Sequence, residues 1–154
     1  MGEAKQRRAY TRELLEKHPW CVYCGGTVPA EDVDHVPSKM MFRNKHRPKG
    51  LEVPSCRACN AGSSRFEVVA NAFGRIGFGD VPKIDSLEFE RLLLDAEANN
   101  PGVLAELRCQ KIDTADARRF GLPHDSGTFA TDGPIVSGAM ARFAAKLGFA
   151  LHWA

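Results

Sequence analysis

Residues 21–60 read CVYCGGTVPAEDVDHVPSKMMFRNKHRPKGLEVPSCRACN, and the fold turns on this stretch. Cys21 and Cys24 form one CxxC pair and Cys56 and Cys59 form a second, with 31 residues between the inner cysteines. Two such pairs supply the four thiolates of a tetrahedral structural zinc site, each short knuckle presenting both sulfurs to one ion. A thioredoxin-like redox pair would need a strand and helix context that is missing here. The separation exceeds the roughly 15–20 residues of a simple zinc ribbon, so the extra length has a use of its own.

Within that insertion, Glu31–Val36 alternates weakly and stops at Pro37, and Leu51–Ser55 is a second short extended run. Both are expected strands. The first carries Asp34 and His35 side by side. Successive strand side chains point to opposite faces, so these two can share a site only if the chain bends or bulges near Pro37. Asn60 follows Cys59 directly, where metal ligation would fix the backbone and aim the amide.

Working outward, residues 4–17 read as a surface helix ended by His18 and Pro19. The pattern turns helical from Cys56, and Ser64 with Glu67 matches a capping box opening a helix through about Phe73. Asp85 with Glu88 signals a further helix, stopped at Asn99 and Asn100. Pro101 begins a short one through Leu107. After Asp132, Gly133 and Pro134, the residues Ile135, Ala139, Phe143 and Leu147 recur at helical spacing and predict a final amphipathic helix. His18 and Trp20 are expected to pack over the zinc site, and Met40, Met41 and Phe42 to anchor the loop between the strands.

The ordered set CVYC, VDHVP and CRACN resembles the HNH, or ββα-metal (His-Me finger), endonuclease superfamily, in the variant whose second knuckle reads CxxCN. The likeness covers about residues 18–70. It implies an α+β fold: a small zinc-stabilised ββα-metal core with an N-terminal helix and a helical C-terminal region. On this reading residues 1–73 hold the helix and core, and residues 74–154 are an extension packed on it, not independent. The resemblance further implies hydrolysis of DNA phosphodiester bonds, with His35 as general base and Asp34 and Asn60 binding one catalytic Mg2+ or Mn2+. Cys21, Cys24, Cys56 and Cys59 would hold the structural zinc. Two departures stand out. Many members carry a middle asparagine where this chain reads Lys49, Gly50, Leu51, Glu52, and many place a histidine where it has Asn60. The alternative is a noncatalytic zinc module of HNH-like fold that binds nucleic acid or a protein.

The chemistry stands apart from the family. Phosphodiester hydrolysis needs an activated water and neutralisation of charge growing on the phosphate oxygens. A neutral imidazole accepts the water proton, and oxygen ligands suit a hard cation. Lys39, Arg43, Lys45, Arg47 and Lys49 place five positive charges between the strands without an acid, and Arg57 extends them, which fits phosphate contacts with little sequence discrimination.

Residues 1–65 carry 12 Lys plus Arg against 7 Asp plus Glu, and residues 66–154 carry 9 against 12. The net charge is only +2, so charge names no partner for the chain as a whole, while its basic half favours a polyanion. At 154 residues and 44% hydrophobic composition, one globular domain can bury a sizeable core. No apolar run approaches the roughly 20 residues of a membrane span. A charged N-terminus without an apolar core, with Gln6 at the position where myristoylation needs Ser or Thr, makes a cytoplasmic location the expectation. The apolar C-terminal helices offer a surface for a homodimer or a protein partner.

Overall fold

The computed structural model describes residues 3–42, 50–75, 86–109 and 132–154. Four of the expected phosphate-contacting residues, Arg43, Lys45, Arg47 and Lys49, lie outside the described residues, as does Asp85 of the expected capping box. The described elements are α1 (Glu3–Lys17), β1 (Asp32–His35), β2 (Glu52–Ser55), α2 (Arg57–Gly74), α3 (Ser86–Asn99), α4 (Val103–Cys109) and α5 (Pro134–Trp153). Together they form a small α+β domain, mostly helical, with a two-stranded antiparallel sheet. No described helix is long and apolar enough to cross a membrane.

The sheet runs without a bulge in the register Asp32↔Ser55, Val33↔Pro54, Asp34↔Val53 and His35↔Glu52. Its cross-strand pairs carry Val33 and Val53 into the interior. The first knuckle leads into it: a 3-10 turn at Val22–Cys24 closes through Gly25 (φ 61°) and Gly26 (φ 77°), left-handed backbone that glycine adopts without a Cβ penalty. The Cys21 N–H donates to the Val28 carbonyl at 2.9 Å, tying the knuckle shut.

Where Ser64 and Glu67 predict a helix start, α2 instead begins at Arg57 with Cys56 as its N-cap. The Cys56 sulfur accepts from the Cys59 N–H, a capping role that hydroxyl and carboxylate signals do not reveal. The Ser64 hydroxyl donates back to the Ala61 carbonyl at 2.8 Å, as serine does inside a helix.

Two apolar clusters result. The larger joins α2, α3, α4 and α5 through Val69, Ala96, Val103, Leu107, Val136 and Ala139. The smaller lies under the hairpin, where Val36 and Val53 meet Ala150, with Tyr23, Leu147 and Trp153 packed around them. The last helix thus reaches both clusters. His18 packs edge-on against Trp153 with ring centroids 5.0 Å apart, whereas Trp20, expected over the zinc site, is 55% exposed. Met41 lies against Gly74, and Arg75 donates to the Phe42 carbonyl at 2.6 Å, so the start of the inter-strand loop is fastened to the end of α2.

The α5 N-terminus is capped from a distance. Glu106 of α4 accepts from the Ile135 N–H at 3.0 Å and from the Val136 N–H at 3.2 Å, and its charge suits the positive end of the helix dipole. A Cβ on Gly133 would run into that carboxylate. We therefore expect Gly133→Ala to lower stability by about 1–3 kcal/mol. Chemical denaturation measures this directly, and an unchanged midpoint would mean that Glu106 does not sit at the cap.

Candidate functional site

The four knuckle cysteines converge. Their sulfurs all lie within 4.8 Å of one another, with Cys24 Sγ 3.3 Å from Cys59 Sγ and 3.7 Å from Cys56 Sγ. A tetrahedron built on Zn–S bonds of 2.3 Å has sulfur–sulfur edges of about 3.8 Å, so donor set and spacing both fit a zinc-sized ion. Among the described residues no other group of three or more His, Cys, Asp or Glu side chains converges in this way.

The local backbone prepares the thiols unequally. The Cys59 N–H donates to Cys56 Sγ at 3.5 Å, and this bond leads the effects that bring the Cys56 thiol down to about 7. Burial, reinforced by its contacts with the Cys24 and Cys56 sulfurs, pushes the Cys59 thiol up. A bound cation is what allows all four to be thiolates together.

The strand residues are less simply arranged. Asp34 is buried, 5% exposed; its Oδ2 accepts from the Tyr23 hydroxyl at 2.9 Å and forms an ion pair with Lys146 Nζ at 2.5 Å. Lys146, on α5, is 7% exposed and also donates to Ser63 Oγ at 2.7 Å and to Glu67 Oε1. Its ammonium sits 5.3 Å from the centre of the Tyr23 ring. Burial and then the Asp34 carboxylate push the Tyr23 phenol well above its ordinary range, so it stays a donor. One buried network therefore links the first knuckle, the Asp34 strand, α2 and α5.

Asn60 reaches the same strand two residues away from Asp34: its Nδ2 donates to Asp32 Oδ2 at 3.2 Å. Asp32 and Asp34 share a face of β1 by strand alternation, and His35 points to the other. The ladder is regular through His35, without the bend that would bring Asp34 and His35 together. The His35 side chain is 38% exposed, and its Nδ1 lies 3.7 Å from Glu52 Oε1, the carboxylate opposite it on β2. The structure thus unites the four cysteines and brings Asn60 to the Asp32 end of the strand. Asp34 and Asn60 are held by different partners. Of the expected phosphate contacts, Arg57 is exposed in the first turn of α2, where its N–H donates to Glu31 Oε2, and Lys39 lies half-buried in the 3-10 turn Lys39–Met41.

Sequence reasoning missed Tyr23, Glu52, Glu67 and Lys146. A signal existed for the last: Val136, Ala139, Phe143, Lys146 and Ala150 are the buried positions of α5, and a lysine inside such a stripe demands an internal acid. Glu52 is legible once the strands are paired. No protein-family model, curated protein or solved structure matches the chain.

Proposed function

We propose that this protein is an HNH-type endonuclease that hydrolyses DNA phosphodiester bonds, built on a zinc-braced hairpin and helix. The observation that carries the reading is the convergence of the two CxxC knuckles at a hairpin whose first strand ends in a half-exposed histidine. Zinc bound by Cys21, Cys24, Cys56 and Cys59 would fix both strand ends and the start of α2. His35 would take the proton from the attacking water, with the Glu52 carboxylate holding the imidazolium that forms. Lys39 and Arg57, with the basic residues between the strands, would contact the phosphates.

The expected catalytic Mg2+ or Mn2+ does not fit between Asp34 and Asn60 as they stand. Lys146 already pairs with Asp34, and Asn60, whose Nδ2 donates to Asp32 Oδ2, is held at the other end of the strand. That observation favours a second reading, a noncatalytic zinc module that binds nucleic acid.

Supercoiled plasmid separates the two. For the nuclease, zinc-loaded protein with added Mg2+ or Mn2+ nicks the plasmid, and His35→Ala slows nicking by about 100-fold or more. Equal cutting by wild type and His35→Ala removes His35 as the base. Salt-dependent DNA association without nicking in either cation establishes the noncatalytic module.

A further inference from the structure

The face where α2 crosses α5 holds two arginines on one aromatic ring. Arg65 Cζ lies 4.6 Å from the centre of the Phe66 ring and Arg142 Cζ lies 4.4 Å from it. Both arginines are exposed, and neither guanidinium has an ion pair among the described residues. Glu67, the nearest acid in sequence, is taken by Lys146. Two like charges are thus gathered at a single ring with no carboxylate paired to either among the described residues, an arrangement that an anion would relieve.

Stacking on Phe66 restrains each guanidinium plane while its N–H groups remain available, the geometry that suits phosphate oxygens. Beside the ring runs a cleft of about 210 Å3, floored by Ala58, Gly62 and Ser63 and bordered by Cys59 of the second knuckle and by the paired Glu67 and Lys146. A Cβ added at Gly62 would meet nothing within 4 Å, so the floor is open to a chain passing over it.

We propose that this α2–α5 face is a nucleic-acid backbone track, on which Arg65 and Arg142, ordered by Phe66, grip phosphates beside the zinc knuckle. The inference rests on the reading of DNA as substrate, and it gives α5 a binding role that the N-terminal motifs do not supply. DNA is the occupant to which the reading of the knuckles and hairpin points, since its phosphates repeat along such a track, and an acidic peptide is the competitor that the test includes.

Fluorescence anisotropy with zinc-loaded full-length His35→Ala protein and a labelled DNA duplex, without added divalent cation, tests binding apart from cutting. The slope of log affinity against log salt should fall in magnitude by about 0.9 for Arg142→Gln, and by about twice that for Arg65→Gln with Arg142→Gln. Arg91→Gln, an exposed arginine on α3, should leave the slope alone. Phe66→Leu keeps the apolar packing but removes the stacking, and should weaken binding by about 2–5-fold without changing the slope. An unchanged slope in the double variant, failure of the parent protein to bind DNA, or tighter binding of polyglutamate than of DNA would each overturn the proposal. Binding with these slopes but no plasmid nicking in the wild type would leave the track standing and remove the nuclease reading.

Discussion

Removing the metal from the cysteine cluster, or replacing Cys56 with serine, is expected to unfold the knuckle and hairpin together. The hairpin has two strands of four residues, a size that is marginal alone in water. Beneath it, among the described residues, Val36, Val53 and Ala150 form the fully buried apolar cluster. A buried valine contributes about 1.5–3 kcal/mol, too little for two such residues to hold both strands against roughly 1–2 kcal/mol of backbone entropy per residue. Structural zinc supplies on the order of 10 kcal/mol in small zinc modules, comparable with the entire stability of a domain. Cys56→Ser isolates the metal ligand, because serine keeps an N-cap oxygen for the Cys59 N–H while giving up the thiolate. The purified wild type should carry one zinc per chain, and Cys56→Ser should lose both the zinc and the cooperative thermal transition of the hairpin. The sign with pH follows from the ligands being thiolates. Protons compete with the ion for all four sulfurs, so zinc retention weakens as the pH falls. A Cys56→Ser protein with full zinc content and an unshifted melting curve would show that the cluster holds no structural ion.

Why the cluster and the hairpin were legible while the network behind them was not comes down to range. Cysteine pairs, the alternation ending at Pro37 and the Gly133-Pro134 start of α5 are local signals, carried within a few residues. Strand placement, the α1 span and the last helix follow from them. Asp34 is different. Its neighbours in sequence suggest a metal ligand, but its partner is Lys146, which lies on α5, and nothing in the motif announces a cation arriving from so far along the chain. The Glu106 cap on α5 and the sharing of Phe66 by Arg65 and Arg142 are likewise pairings between elements, fixed by how helices cross. The late placing of the α2 start has the same origin: the serine-based signal was local and genuine in kind, but a cysteine held in the knuckle capped the helix first.

The second large effect falls on Lys146. Lys146→Met would leave the buried Asp34 and the half-buried Glu67 as two carboxylates with no cation between them, and breaking a buried pair from one side costs about 3–5 kcal/mol. Of the three charged groups in the network, lysine is the one whose loss strands both others. Removing the acids as well should restore much of the loss, because an all-neutral network no longer carries uncompensated charge. Asp34→Asn with Glu67→Gln and Lys146→Met should accordingly be more stable than Lys146→Met alone, by about 1–3 kcal/mol of coupling between neighbouring sites. Tyr23→Phe, which removes only the hydroxyl donor to Asp34, should cost about 1–2 kcal/mol. Urea titration of the zinc-loaded variants gives all of these values. The comparison also decides what Asp34 is for. A carboxylate whose work is to bind an added divalent cation would lose little stability as asparagine in the absence of that cation. One that anchors α5 to the hairpin through Lys146 would lose a large share, with Lys146→Met and Asp34→Asn strongly non-additive. Additive losses would place Asp34 and Lys146 in independent roles and reopen Asp34 as a metal ligand.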